Sequence, residues 1–273
     1  MDVSLPIRLI ATDVDGTLLN SRGILPDDNI KAILDAQAMG IVVAIASGRF
    51  AENAYLLLQD YGLTCPIIAV NGAKIVDENL KELSSRFMDH DAALRVYRIL
   101  NELGSEYFVF GKNSLCAVAE HRKHHSELSQ GDRVRALGYG YTHGRIEADE
   151  CMEQPIQKFY VCNNVPLDRV RNALIGISGI ELTQSGINNV EIMPSGIDKA
   201  FGVREYAGIL DIPMAQVMTL GDQENDIPML RAAGYGIAMG NASRETKAAA
   251  RYVTSSNDEC GFARAIEKWA LGK

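Results

Sequence analysis

The chain has 273 residues, of which 47% are hydrophobic and 23% charged, and its formal net charge is -8. This length suits one large domain or two ordinary ones, and the composition is typical of a folded protein. The acidic balance argues against a general nucleic-acid binder, and no apolar stretch is long enough to span a membrane. An anionic substrate would have to be attracted by local positive charge.

The N-terminal segment and the cysteines indicate a cytoplasmic protein. The first apolar run has no basic segment before it, so it does not resemble a signal peptide. None of the five cysteines forms a C-x-x-C pair: Cys65, Cys116, Cys151, Cys162 and Cys260. We therefore expect reduced thiols, and neither a disulfide framework nor a zinc site.

The first third of the chain predicts alternating strands and helices. Strands are expected within 7–14, 41–47 and 66–72, helices within 25–40 and 50–62, and an edge strand or hairpin over 73–78. Asp27 or Asp28 is expected to cap the first helix, and Gly40 to end it. The strands are apolar throughout, which favours a parallel sheet covered on both faces.

The last third continues this pattern, whereas the middle differs from it. Strands are predicted over 216–222, 235–239 and 251–255, and helices over 224–234, 242–250 and 259–271. Residues 85–184 predict an inserted α+β module, with 1–84 and 185–273 forming one Rossmann-like α/β core. The segment 186–194 is either the last strand of the module or the return into the core.

Carboxylates follow two of the predicted core strands. Asp13 and Asp15, in D-V-D-G-T, share one strand face because side chains alternate. Asp222 and Asp226, in G-D-Q-E-N-D, are four residues apart where a helix begins. Ligands bind beyond the carboxyl ends of such strands, and converging carboxylates require a compensating cation. Oxygen ligands of this kind favour Mg²⁺.

Further residues predict a phosphate at the same edge. Lys199 supplies a fixed positive charge, Ser47 supplies a hydroxyl, and backbone N–H groups after Asp15 and Ser47 can hold an anion. An ionised aspartate can attack phosphorus, and a second carboxyl two residues away can protonate the leaving oxygen and then activate water. The alternative without a catalytic role is that D-x-D-G forms an ordinary turn and that S-G-R and Lys199 are surface residues. The occurrence of all four stretches in this order disfavours that alternative.

At this point the sequence resembles the haloacid dehalogenase (HAD) superfamily of phosphatases. The resemblance rests on D-V-D-G-T-L, S-G-R, the lysine after "EIMPSGIDK" and G-D-x-x-N-D, in this order. A module of about one hundred residues between the second and third motifs resembles the cap of the Cof-type, class IIB subgroup. The resemblance extends over nearly the whole chain.

The resemblance implies a role for each matching residue. Asp13 would be the nucleophile, Asp15 the general acid/base, Thr17 the residue that orients Asp15, and Lys199 the neutralising cation. The implied magnesium ligands are Asp13, Asp15 through its backbone carbonyl, Asp222, and Asp226 through water or as an outer residue. The implied phosphate-binding or pocket residues are Val14, Ser47, Gly48, Asn71, Asn225 and Asn241.

The sequence therefore predicts a Mg²⁺-dependent phosphatase that acts on small phosphorylated metabolites. Sugar phosphates are the foremost substrates, with phosphorylated cofactors as a second group, and a mobile cap would select the leaving group. The alternatives are a phosphomutase and a non-catalytic phosphometabolite sensor. Whether the chain forms a homodimer stays open.

Two features have more than one interpretation. Arg49 either reaches the substrate or forms a surface ion pair of little energetic value. His121, His124 and His125 lie among charged residues without an H-E-x-x-H motif, so a solvated face is favoured over a zinc site.

Overall fold

A computed structural model describes residues 6–118, 131–143, 145–161, 165–186 and 188–272. The chain divides into two compact units, one formed by Met1–Ser84 with Asp198–Lys273 and the other by Ser85–Ile197. The second unit is thus an insertion in the first. No helix in the described ranges combines the length and apolar character needed to cross a membrane.

The described elements alternate along the chain. The strands are β1 Leu9–Thr12, β2 Val42–Ala46, β3 Ile67–Ala69, β4 Lys74–Val76, β5 Glu82–Ser85, β6 Tyr107–Gly111, β7 Ser114–Val118, β8 Gly140–His143, β9 Ile156–Val161, β10 Ile180–Thr183, β11 Val190–Pro194, β12 Val217–Gly221, β13 Tyr235–Ala238 and β14 Tyr252–Val253. The helices are α1 Asp27–Ala38, α2 Ala51–Asp60, α3 His90–Glu102, α4 Gly131–Ala136, α5 Arg145–Cys151, α6 Leu167–Leu174, α7 Lys199–Ile209, α8 Ile227–Ala232, α9 Arg244–Ala249 and α10 Gly261–Ala265.

The first unit contains a mostly parallel sheet in the order β14-β13-β12-β1-β2-β3-β4-β5. The pairings from β14 to β3 are parallel, and β4 turns back antiparallel to β3. Leu9 and Ala11 pack in a cluster with Ala200 and Val203 of α7. Ile10 points to the opposite face by strand alternation and is also fully buried. Burial on both faces explains the uninterrupted apolar strands.

The ends of α1 differ in part from the sequence prediction. Pro26 occupies the capping position and makes no side-chain cap, so Asp27 and Asp28 lie in the first turn instead. Their carboxylates still favour the positive end of the helix dipole there. Gly40 adopts a φ of 79°, the left-handed conformation expected of a glycine after a helix.

The second unit contains a separate sheet in the order β10-β11-β9-β6-β7-β8. Its pairings are antiparallel except for β7 with β8. A cluster of apolar side chains from α3, α5 and α6 covers the face that carries Tyr107, Val109 and Phe159. On β9 and β11, Lys158 and Glu191 form a buried ion pair with an Nζ–Oε2 distance of 3.0 Å.

The boundary expected after residue 184 lies after Ile197 instead. Strand β11 pairs antiparallel with β9 and β10, so it completes the second sheet and does not return into the core. The segment 186–194 was ambiguous because a buried apolar strand fits either sheet equally well. Only its hydrogen-bonding partners decide between them.

The described cysteines carry free thiols: Cys65, Cys116, Cys151 and Cys260. Burial raises the pKa of the Cys65 thiol to about 12, with a hydrogen bond from Gln37 opposing this shift. This thiol is therefore protonated at neutral pH, as expected for a cysteine that packs as a small apolar side chain. Cys162 and the cluster of His121, His124 and His125 lie outside the described residues.

Candidate active site

Three neighbouring parallel strands place polar residues at one edge of the core sheet. Strand β1 lies between β2 and β12, and Asp13, Ser47 and Asp222 directly follow these strands. The carboxyl ends of parallel strands meet at the same edge, where the strand order reverses around β1. Asn71 follows β3, the next strand along. The local sequence thus delivers four polar side chains to one region.

Lys199 joins two of the aspartates. Its Nζ lies 2.5 Å from Asp13 Oδ1 and 2.6 Å from Asp226 Oδ1, and its side chain is fully buried. Lys199 is the first residue of α7, and the Asp198 side chain caps that helix by accepting from Phe201 N at 2.7 Å. The capped helix start therefore fixes where the ammonium group enters the carboxylate cluster.

Asp226 is already engaged by its own loop. Its Oδ2 accepts from the backbone N–H groups of Asp222 at 2.8 Å and Gln223 at 2.9 Å. Gly221 permits this compact turn, because a Cβ at this position would lie 2.4 Å from Asp226 Cβ. Asp226 thus shapes the loop and holds Lys199.

Asp222 is surrounded by hydrogen-bond donors. Thr17 Oγ1 donates to Oδ1 at 3.2 Å, and Gln223 Nε2 and Asn241 Nδ2 donate to Oδ2 at 2.9 and 3.3 Å. Gly16 has a φ of 82°, and a Cβ on it would lie 2.4 Å from Asp222 Oδ2. The glycine of D-V-D-G-T is therefore required both by its backbone conformation and by the carboxylate next to it.

Thr17 contacts the loop after β12. Its hydroxyl donates to Asp222 Oδ1, and the residue is fully buried, whereas the Asp15 side chain is 62% exposed. The threonine therefore connects the loop after β1 to the loop after β12. The role in orienting Asp15 that the resemblance implies stays a prediction.

Three carboxyl groups, those of Asp13, Asp222 and Asp226, cluster around the ammonium group of Lys199. Oxygens of Asp13, Asp222 and Asp226 lie within 4.8 Å of one another. Burial raises the pKa of Asp13 well above its usual range, Lys199 opposes the rise, and Asp226 and Asp222 add to it. Burial, with Asp226 as the next cause, raises the pKa of Asp222 to about 6. Burial lowers the pKa of Lys199, but Asp13 and Asp226 outweigh it and raise the pKa overall.

This cluster fits a divalent cation. Asp13 and Asp222 have perturbed carboxyls that a positive ion would return to the ionised form. Three clustered carboxylates with oxygen-only ligands suit a hard cation of the Mg²⁺ type. The donor set is therefore consistent with a divalent metal site, with Asp226 also bonded to Lys199 and to two backbone N–H groups.

A strained loop holds the S-G-R segment. The N–H groups of Val70 and Asn71 donate to Arg49 O at 2.8 Å and Ser47 O at 2.9 Å. Val70 and Asn71 have φ values of 50° and 49°, and a β-branched residue rarely adopts this conformation. Strain of this kind persists where surrounding contacts impose it, often at functional sites. Here it fixes the backbone around Ser47, which is 2% exposed.

The three predicted asparagines interact mainly with protein groups. Asn225 Nδ2 donates to Asn71 Oδ1 at 3.1 Å, so these two residues pair with each other. Asn241 Nδ2 also donates to Gly16 O at 2.8 Å, and its Oδ1 accepts from Asn257 N at 3.0 Å. These amides brace the loops that carry the aspartates.

The remaining predicted phosphate-binding residues lie in the loops after β1 and β2. Val14 is buried, and its carbonyl accepts from Leu19 N at 2.9 Å. Gly48 lies half-buried between Ser47 and Arg49. Both positions supply backbone in the loops that surround Asp13.

Arg49 contacts both Asp15 and Asn53, and the sequence did not indicate these contacts. Arg49 donates through Nε and Nη2 to the two carboxylate oxygens of Asp15, at 2.9 and 2.7 Å. Its Nη1 donates to Asn53 Oδ1 at 2.7 Å. The available signal was the spacing of Arg49 and Asn53, four residues apart where α2 begins, which brings the side chains to one side.

These features define a buried, carboxylate-rich site at the carboxyl edge of a Rossmann-like sheet. A family model described as haloacid dehalogenase-like hydrolase matches residues 10–266. The chain belongs to this family and is a phosphatase, that is, a phosphoric monoester hydrolase. The inserted second unit lies between the segments with Ser47 and Lys199.

Two curated relatives and one solved structure resemble nearly the whole chain. The 5-amino-6-(5-phospho-D-ribitylamino)uracil phosphatase YcsE of Bacillus subtilis is 31% identical, over 97% of this chain and 96% of its own length. The phosphatase YwtE of Bacillus subtilis, with the same substrate in its name, is 30% identical over 98% and 99%. A haloacid dehalogenase-like hydrolase from B. subtilis superposes with a TM-score of 0.84 at 26% identity, covering 96% and 99%.

Proposed function

We propose that this chain hydrolyses small phosphorylated metabolites with Mg²⁺, through an aspartyl-phosphate on Asp13. The observation that carries the proposal is the position of Asp13 after β1, 7% exposed and 2.5 Å from Lys199 Nζ. Its carboxylate lies in a polar cluster that attracts both a cation and a phosphoryl group. The family's activity as a phosphoric monoester hydrolase supports this assignment.

The residues divide the chemistry among them. An oxygen of Asp13 forms a bond to phosphorus while the bond from phosphorus to the substrate oxygen breaks. Asp15 gives a proton to the leaving oxygen, then takes a proton from the water that cleaves the aspartyl-phosphate. Lys199 offsets negative charge on Asp13 and the phosphoryl group, and Ser47 with neighbouring backbone N–H groups binds phosphoryl oxygens.

Asp13, Asp222 and the Asp15 backbone carbonyl are the groups that would hold Mg²⁺. When bound, the ion would supply charge neutralisation for the nucleophile and the phosphoryl group. Asp226 supports this set through its bonds to Lys199 and to the loop backbone.

The substrate class is a phosphate monoester of a small polyhydroxylated molecule. Sugar phosphates are the foremost candidates. Both curated relatives carry in their names a phosphate on a ribityl chain, which is an open-chain sugar alcohol attached to a heterocycle. That substrate shares the primary phosphate ester and vicinal hydroxyls of sugar phosphates. Because it also carries a heterocycle, that substrate resembles the phosphorylated cofactors that the sequence suggests as a second group.

Phosphate release tests the proposal. The panel contains ribityl phosphates, sugar phosphates and phosphorylated cofactors, with Mg²⁺ and with a chelator, for wild type and Asp13→Asn. We expect turnover that requires Mg²⁺ and that Asp13→Asn reduces by at least about a thousandfold, because the nucleophile is lost. Asp35→Asn is the matched control, since this aspartate pairs with Lys31 on α1.

The alternatives give different results in the same assay. A phosphomutase would return an isomerised sugar phosphate in place of free phosphate. A sensor would bind the phosphorylated compound tightly without turnover. Phosphate release that survives in Asp13→Asn would contradict the aspartyl-phosphate mechanism itself.

A further inference from the structure

Arg49 holds the carboxylate of Asp15 with a fork of two parallel hydrogen bonds. The Nε–Oδ2 distance is 2.9 Å and the Nη2–Oδ1 distance is 2.7 Å. This bidentate geometry fixes the plane of the carboxylate as well as its position. The Arg49 side chain is 17% exposed and that of Asp15 is 62% exposed, so the more buried partner anchors the more exposed one.

Asn53 in turn anchors Arg49. Its Oδ1 accepts from Arg49 Nη1 at 2.7 Å, and the residue is 1% exposed. A guanidinium only donates, so the amide must turn its oxygen toward Arg49. The Asn53 Nδ2 is then buried without a hydrogen-bond partner among the described residues.

That unsatisfied donor distinguishes the arrangement from an ordinary surface ion pair. Leaving a buried N–H group unpaired is costly, and such groups in native proteins call for an explanation. Here the Asn53 amide is oriented so that its oxygen accepts from Arg49, and this orientation leaves the Asn53 nitrogen without a partner among the described residues. The backbone of Arg49 is held as well, because its carbonyl accepts from Val70 in the strained loop after β3.

We propose that Arg49 is a positioning residue for Asp15 and that Asn53 fixes Arg49 for this task. The inference rests on the proposed function, in which Asp15 donates the proton to the leaving oxygen. As the Asp13 oxygen bonds to phosphorus and the bond to the leaving oxygen breaks, that oxygen takes the proton of Asp15. Asp15 is then an ionised carboxylate, and Arg49 binds this form with its two parallel hydrogen bonds.

The test compares two substrates that differ in their need for a proton. The leaving group of an alkyl phosphate such as ribitol 5-phosphate is an alkoxide unless its oxygen is protonated as the bond breaks. The leaving group of p-nitrophenyl phosphate is a stable phenolate that needs no proton. The ratio kcat/KM reports only the steps up to release of the leaving group. It therefore isolates proton donation from the later attack of water.

We expect Arg49→Lys and Asn53→Ala to lower kcat/KM for the alkyl phosphate by roughly 10–100-fold, the range of a misplaced general acid. Their kcat/KM for p-nitrophenyl phosphate should change by less than about threefold. Asp15→Asn should show the same differential in stronger form. Arg264→Lys is the matched control, because Arg264 is exposed and donates to Ser255 Oγ at 3.3 Å.

Equal losses with both substrates would overturn the proposal, because they would assign Arg49 to phosphoryl binding or to loop structure. Unchanged alkyl-phosphate activity in Asn53→Ala would also overturn it. Absence of wild-type turnover would contradict the proposed function instead. Crystal structures then test the positioning separately: Asp15 should adopt several conformations in Asn53→Ala, and one unchanged conformation would overturn the proposal.

Discussion

Replacing Lys199 with methionine should strongly destabilise the protein when no divalent cation is present. The ammonium group is fully buried and contacts Asp13 at 2.5 Å and Asp226 at 2.6 Å. Removing one partner from a buried ion pair leaves an uncompensated charge, which costs about 3–5 kcal/mol. At roughly 2–4 °C per kcal/mol, the melting temperature should fall by about 10 °C.

The pH dependence of this loss has a defined sign. The pKa of Lys199 is raised, so its contribution is fully present at neutral pH and is lost only at strongly alkaline pH. The pKa of Asp13 is raised as well, so protonation can relieve the unpaired carboxylate on the acid side. The loss in Lys199→Met should therefore be smaller near about pH 5 than near about pH 7.

Urea unfolding in the presence of a chelator measures this loss as a free energy of unfolding. Lys31→Met is the matched control, because Lys31 pairs with Asp35 at 2.8 Å but is 69% exposed. An exposed pair of this kind contributes little to stability because solvent screens it. If Lys199→Met destabilised the protein no more than Lys31→Met, the argument from buried charge would be refuted.

Three further predictions concern Asp222, the buried Lys158–Glu191 pair and Gly16. Because burial raises the pKa of Asp222 to about 6, only about a tenth of this carboxyl is ionised at pH 5. Thermal-shift titrations should therefore show about tenfold weaker Mg²⁺ binding there than at pH 7, and equal affinity would contradict this. Lys158→Met should cost about 3–5 kcal/mol in urea unfolding, whereas the double variant with Glu191→Leu should recover most of it. Gly16→Ala should abolish Mg²⁺ binding and activity because its Cβ would lie 2.4 Å from Asp222 Oδ2, whereas Gly23→Ala has the same type of backbone but nothing within 4 Å. Activity assays should find Gly23→Ala close to wild type, and an active Gly16→Ala would show that the aspartate can move.

The sequence predicted the core sheet because its strands are apolar on both faces and its helices are amphipathic. The positions of Asp13, Ser47 and Asp222 at one edge follow from the rule that parallel strands end together. Local signals were weaker in the inserted unit, where β8, β10 and the two short helices α4 and α5 were not predicted. Short elements of this kind depend on packing against the rest of the sheet more than on their own residues.

Contacts between distant parts of the chain were decided only by the tertiary structure. No spacing indicates that Thr17 donates to Asp222 across 205 residues, or that β11 joins the second sheet. The same holds for the forked bond from Arg49 to Asp15, which the S-G-R motif left open between substrate contact and surface pair.

The sequence by itself predicted which residues carry the chemistry, because carboxylates, a lysine and glycines stand at fixed positions after the strands. The tertiary structure decided which of them touch, since contacts depend on side-chain direction and burial. Asp226 illustrates the difference: its motif marks it as a metal-site residue, and its contacts with Lys199 and two backbone amides show what it holds.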